Sequence, residues 1–249
     1  MEIFGCIIGS SQRKRDYMFH LAHGEEPVRL IYPFWVVRSA DAKPILVDTG
    51  FAAEIAAQRG VGEYLDPTEA LGRLGIAPSE IETVAISHLH YDHFGVPERF
   101  PNAVFVIQRE DVDYYTRRGL GHPLRKAADP ASLDLLPELR AAGRVREIDG
   151  DATLANGVRC VHVGGHSPGM QIVVCDDGRS RTVLACDASH FYENLETRTP
   201  TALIHDYEAY QLGFETIERE AGAGAWYPGH DPAMLERLEP VAPSVYRVP

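Results

Sequence analysis

The sequence predicts a layered α/β fold, and three features carry that prediction. Short, apolar, β-branched runs such as 83–87 (TVAIS) and 182–185 (TVLA) read as buried strands. Helical stretches separate the strands of the first half, whereas the second half runs through closely spaced strands. Several strands end in a histidine or aspartate flanked by glycine or proline, and strand-end loops are where layered α/β folds carry their sites.

Taken in order, 3–8 (IFGCII) is a first strand, followed by a polar, basic stretch over 10–15. Residues 28–37 (VRLIYPFWVV) read as a strand that Pro33 interrupts, hence an edge strand or a bulge. A turn at Lys43 leads into 44–50 (PILVDTG), a buried strand closing on Asp48, which spacing alone would make a turn residue. Two helical stretches fill 53–75, and 78–82 is a turn with Ser79 as its cap. Residues 83–87 run straight into His88, and 88–93 reads as a turn that opens a helix. A short helix ends near Phe100, 103–108 is a strand and 109–117 a helix. Residues 118–142, with His122, form a lid-like, proline-punctuated helical insertion of the kind that shapes substrate pockets. Strands follow at 145–148, 152–154, 158–163, 171–175 and 182–185, then a helix over 207–221 and a short strand ending at His230. One domain over 1–249 is expected, since a chain with 45% apolar residues can bury one sizeable core.

The formal net charge of −12 argues against nucleic acid or an anionic membrane as partner. No apolar run reaches the roughly 18 residues of a membrane span. The first residues lack a basic region ahead of their apolar run and read as a strand, not a signal peptide. Cys6, Cys160, Cys175 and Cys186 show no C-x-x-C spacing and read as buried apolar residues of a cytoplasmic protein.

The chemistry centres on His88-Leu-His90-Tyr-Asp92-His93, four potential ligands within six residues. His166 sits in a Gly-rich turn (GGHSPG), Asp187 closes a buried strand, and His230 follows Pro-Gly. Five histidines and two aspartates at strand ends suit two metal ions that share a carboxylate and a hydroxide, a pair able to polarise a carbonyl or phosphoryl oxygen. A closed structural zinc needs four ligands, which disfavours a purely structural module. Imidazole and carboxylate donors select zinc, with iron, manganese or cobalt as alternatives.

These residues, from the strand ending in Asp48 to His230, resemble the metallo-β-lactamase superfamily. The resemblance implies a four-layer αββα sandwich, two mixed sheets flanked by helices, with a dinuclear site at one edge. It implies that His88, His90 and His166 hold the first ion, that Asp92, His93 and His230 hold the second, and that Asp187 bridges them. Asp48 would orient the loop from behind. The motifs SHLHYDH, GHSPGMQ, CDAS and GHD are similar to those of the quorum-quenching N-acyl homoserine lactonases and the related 4-pyridoxolactonase. In that group a bridging hydroxide attacks the lactone carbonyl, and the acid equivalent to Asp92 shuttles the proton. True zinc β-lactamases often carry a cysteine ligand where this chain has Asp187, and flavodiiron proteins carry Glu at the position of His90. Three residues after the bridging acid the lactonases carry a tyrosine; here stands His190, with Tyr192 behind it, and either is a candidate donor to the substrate carbonyl.

The expected activity is therefore metal-dependent opening of a small-molecule lactone, with another ester, thioester or phosphoester as the alternative. Apolar walls from Tyr32, Phe34, Trp35 and the 118–142 insertion would favour a hydrophobic lactone; a ring of Arg and Lys would favour an anionic ester. The aromatic segment 32–35 is also a candidate homodimer contact.

Overall fold

The computed structural model describes residues 1–24, 26–39, 42–117 and 123–249. In chain order the strands are β1 (Glu2–Lys14), β2 (Pro27–Arg38), β3 (Ile45–Val47), β4 (Thr83–Ala85), β5 (Val104–Gln108) and β6 (Val145–Ile148). They continue as β7 (Ala152–Ala155), β8 (Val158–His162), β9 (Gln171–Asp176), β10 (Arg181–Cys186), β11 (Ala225–Pro228), β12 (Glu239–Ala242) and β13 (Val245–Arg247). The helices are α1 (Arg15–Met18), α2 (Ala53–Arg59), α3 (Pro67–Gly72), α4 (Arg109–Arg117), α5 (Pro130–Ala141), α6 (Tyr192–Glu196) and α7 (Tyr207–Ala221).

Two mixed sheets result. The eight-stranded sheet has the order β12-β13-β1-β2-β3-β4-β5-β6, antiparallel up to β3 and parallel from β3 to β6. The five-stranded sheet has the order β11-β10-β9-β8-β7, with only β10 and β11 parallel. Alternation along the strands of the first sheet builds two cores, because successive side chains of a strand point to opposite faces. Phe34, Val36, Leu46, Val84, Phe105 and Ile107 face a core completed by helices α2 to α5. Trp35, Val37, Ile45, Val47, Ala85 and Val106 face the second sheet, whose far side is covered by Tyr210, Phe214 and Ile217 of α7. The layers are thus helix, sheet, sheet, helix, as the sequence resemblance implies.

Four local expectations change. β1 runs on to Lys14, because the polar 10–14 stretch pairs residue by residue with 27–31 of β2. β2 is central, between β1 and β3, so the edge alternative falls while the bulge alternative holds. The β1 register shifts between Ile7 and Ser10 beside Pro33, and the Ile7 N–H goes to the Ser244 carbonyl, away from the proline. The 88–93 segment is a run of turns that opens no helix, closed by the His93 and Phe94 N–H groups on the His90 carbonyl. The turn at 78–80 is capped by Glu80, whose carboxylate accepts the Ala77 N–H at 2.7 Å, and not by Ser79. Of the 118–142 insertion, 118–122 with His122 lie outside the described residues; α5 packs Leu133, Leu136 and Leu139 into the first core. No helix among the described residues is long and apolar enough to cross a membrane.

Candidate metal centre

All seven predicted ligands are buried and converge at one end of the sandwich. A bent strand end in each sheet serves the site. Beyond β3, Asp48 has φ 68°, a left-handed conformation that aspartate tolerates better than most side chains. Its Oδ1 accepts the Ser87 N–H at 2.7 Å, its Oδ2 accepts the Ser87 hydroxyl at 2.9 Å, and the same Oδ2 lies 2.8 Å from His93 Nδ1. At the end of β10, Cys186 has φ 46° and aims the next residue, Asp187, inward. Such backbone costs about 1–3 kcal/mol at each non-glycine residue, so it persists only where packing enforces it.

Asp187 lies between two groups of rings. Its Oδ2 is 3.3 Å from His166 Nε2, 3.7 Å from His88 Nε2 and 3.1 Å from His190 Nε2. Its Oδ1 is 3.3 Å from His93 Nε2 and 3.0 Å from His230 Nε2. Asp92 Oδ2 is 3.6 Å from both His93 Nε2 and His230 Nε2, and His90 Nδ1 is 3.0 Å from His166 Nε2. Potential ligand atoms of His88, His90, His166 and Asp187 lie within 4.8 Å of one another, and so do those of Asp92, His93 and His230. A third such group, Asp187, His190 and His230, adds His190 to the cluster.

The rings are oriented from outside. His166 Nδ1 meets the Leu203 carbonyl at 3.0 Å, His230 Nδ1 the Ile31 carbonyl at 2.9 Å, and His93 Nδ1 the Asp48 carboxylate. A ring whose Nδ1–H is held by an acceptor presents Nε2 as a lone pair, the form that binds a metal. Meanwhile Nε2 of His88, His90 and His93, and Asp187 Oδ1, are buried without a hydrogen bond among the described residues. Orphaned buried donors and acceptors are costly, and a divalent cation is what this imidazole and carboxylate set would satisfy.

The electrostatics agree. Burial, reinforced by the neighbouring histidines, holds His88 and His90 well below the ordinary imidazole range. Burial acts the same way on His93 and His230, but Asp187 and Asp92 outweigh it and raise both. Burial opposes ionisation of Asp187 too, yet His190, His230 and His93 keep it well below the carboxylate range. Where acids hold protons on rings in this way, a divalent ion takes the protons' place.

His190 lies within this cluster; burial pushes its pKa down to about 4, so its ring is neutral at pH 7, and its Nδ1 has no partner among the described residues. Tyr192 is not brought there. Its hydroxyl donates to the Trp226 carbonyl at 3.3 Å and the Arg237 guanidinium lies 4.0 Å from its ring centre, so as a substrate donor it is turned away.

A cavity of about 300 Å³ opens onto His90, Asp92, Asp187, His190 and His230. Tyr32 and Tyr91 form one wall, and Met18, Leu30 and Leu203 supply apolar surface. Phe34 and Trp35, expected as walls, instead face the two cores from opposite sides of β2. Arg13, Arg59 and Lys126 also line the cavity.

Sequence reasoning missed one buried acid. Asp111, in the first turn of α4, accepts the Leu89 N–H at 3.0 Å and the Gly169 N–H at 2.6 Å, and so ties the loop of His88 and His90 to the loop of His166. Burial raises its pKa to about 6 despite those bonds. An acid in a helix's first turn is ordinary, so no local signal marks it. Gly229 is the second positioning element: a Cβ there would lie 2.5 Å from Asp187 Oδ1 and 2.8 Å from the Cys186 carbonyl.

Comparison with known proteins agrees with this geometry. The sequence profile of the metallo-beta-lactamase superfamily matches residues 29–233. N-acyl homoserine lactonases of a Bacillus species and of Bacillus cereus are 29% and 30% identical over 186 residues, 68% of this chain and 69% of each of those proteins. The solved structure of an N-acyl homoserine lactone hydrolase, with the product N-hexanoyl-L-homoserine at its catalytic metal centre, superposes with a TM-score of 0.80. It is 23% identical and covers 97% of each chain, which bears on the fold. The profile, the sandwich and the buried His/Asp cluster together make this chain a member of the metallo-beta-lactamase superfamily, a family of metal-dependent hydrolases.

Proposed function

We propose that the protein is a dinuclear, zinc-dependent hydrolase that opens lactone rings. The observation that carries this reading is the split of ligands over the two oxygens of Asp187, His88 and His166 on Oδ2, His93 and His230 on Oδ1. On this reading His88, His90 and His166 hold one ion, Asp92, His93 and His230 the other, and Asp187 joins them. Two ions bound there would supply a hydroxide nucleophile at neutral pH and a Lewis acid for the carbonyl.

The chain's own residues do the rest. His190, neutral and lining the cavity, has one ring N–H, on the Nε2 that meets Asp187. With that carboxylate given over to the ions, the same N–H would turn to the carbonyl oxygen as negative charge builds on it. Asp92, on the cavity surface, takes the nucleophile's proton and returns it to the ring oxygen as its bond to the carbonyl carbon breaks, leaving a hydroxy acid. Asp48 and Asp111 hold the loops in place. The 118–142 insertion contributes Lys126 and Ala127 to the wall, and the whole chain acts as one domain. The relatives named as lactonases support a lactone as substrate. One observation favours a second reading, an anionic ester or phosphoester on the same site: the three cations of the cavity.

The test is hydrolysis of a panel by pH-stat, on a sample whose metal content is counted. The panel holds acyl-homoserine lactones of several chain lengths, simple γ- and δ-lactones, a thioester and a phosphodiester. Turnover of a lactone with two ions per chain is the expected result; turnover of the phosphodiester or thioester alone would replace the lactone reading. His190→Phe should lower kcat by about 100-fold at unchanged metal content, the cost typical of one lost oxyanion donor. An unaltered kcat would remove His190 from the reaction.

A further inference from the structure

One wall of the cavity is cationic, in a protein whose net charge is −12. Arg13, Arg59 and Lys126 come from β1, from the end of α2 and from the 123–127 turn. They are chained together: Arg13 Nη2 donates to the Arg59 carbonyl at 2.8 Å, and Arg59 Nη2 to the Lys126 carbonyl at 2.8 Å. Both arginines lean on the tyrosine wall, Arg13 donating to Tyr32 Oη at 3.3 Å and Arg59 lying 4.6 Å from the centre of the Tyr91 ring.

None of the three has a carboxylate within ion-pair distance among the described residues, whereas Arg15 pairs with Glu193, Arg73 with Glu69 and Arg247 with Glu239. Their side-chain partners are carbonyls, a hydroxyl and a ring, none of which neutralises charge. The acids that line the cavity, Asp92 and Asp187, face the histidine cluster. In an acidic chain, three cations gathered on one side of a cavity without a carboxylate partner attract anions to that cavity.

From this juxtaposition, and resting on the lactone reading above, we infer that the substrate carries an anionic group away from its reacting ring. A carboxylate or phosphate on an arm of the lactone meets Arg13, Arg59 and Lys126 while the ring carbonyl faces His190 and Asp187. The arginines, fixed by their carbonyl and ring contacts, are pre-ordered for such a group. Lys126 is exposed and adds charge rather than shape.

The test compares γ-butyrolactones bearing, next to the ring oxygen, an arm that ends in a carboxylate or in the isosteric primary amide, at two arm lengths. With the metal-loaded protein, kcat/KM for the better-fitting carboxylate should exceed that for its amide about tenfold at low ionic strength, and the ratio should shrink as salt rises. In Lys126→Met and Arg59→Met the ratio should fall toward one. Equal rates for acid and amide, or a ratio that both variants leave intact, would overturn the inference. Calorimetric binding of the ring-opened products, with and without the arm's carboxylate, separates this inference from the lactone reading. Tighter binding of the doubly anionic product, lost in the variants, supports the anion site even if no lactone turns over. Equal binding overturns it even if every lactone does.

Discussion

The loop 88–93 at the end of the eight-stranded sheet is braced by buried acids. Asp48 grips Ser87 and His93, and Asp111 grips the backbone of Leu89 and reaches across to Gly169. On the five-stranded sheet, His166, Asp187 and His230 are set by backbone and by close packing instead. His166 and His230 lean on the Leu203 and Ile31 carbonyls, the Tyr210 hydroxyl donates to the Asp187 carbonyl at 3.0 Å, and the His230 N–H goes to the His190 carbonyl at 2.8 Å. Gly165, at φ 87°, leaves no room for a Cβ beside Tyr210, and Gly229 leaves none beside Asp187. One half of the centre is thus sensitive to charge and the other to volume.

Substitutions can break that contrast. Gly229→Ala should act most strongly, because its methyl enters the space of Asp187 Oδ1 and neither atom can move without disturbing the cluster. Overpacking of this kind costs about 1–3 kcal/mol. For a chain of this size that lowers Tm by roughly 2–4 °C per kcal/mol, and a melting curve would read it. Metal content should fall in the same variant; a stable, fully loaded Gly229→Ala protein would refute the volume account.

Asp48→Asn removes the charge behind His93 and one of the two acceptor oxygens that hold Ser87, and should weaken metal binding by about 10–100-fold. A chelator competition titration checks it, and unchanged affinity would show that Asp48 only shapes the turn. Asp111→Asn should act less on the metals and more on stability, since an amide offers one acceptor oxygen to two backbone donors. The expected loss is about 1–3 kcal/mol in denaturant unfolding. A variant as stable as the parent would mean that the two loops hold their places without Asp111.

The clustered side chains were legible because histidine is scarce, eleven in 249 residues, and because glycine, proline or a buried strand end stands beside them, as with His166 in GGHSPG. The strands at 28–37 and 44–50 were readable, but not their faces: 34–37 and 45–47 are apolar throughout, and packing on both sides of the sheet is what divides the two cores. What escaped depends on partners distant in the chain. The 10–14 stretch is polar on its face and becomes strand only through its pairing with β2. β12 and β13 are short and half exposed, and exist as additions to β1. Asp111 is known by two N–H groups 22 and 58 residues away. The cationic wall is assembled from three segments; the basic stretch at 10–15 was visible, but not that its Arg13 would meet Arg59 and Lys126 at the cavity.

The central claim is that Asp187 joins two ions, and the most direct measurement is the number of metal ions per chain in the parent and in Asp187→Asn, by elemental analysis of matched samples. The account predicts two ions in the parent and a variant that loses affinity at both sites together, falling below one ion per chain. A parent that binds a single ion, or a variant that sheds one ion and keeps the other at full affinity, would contradict it.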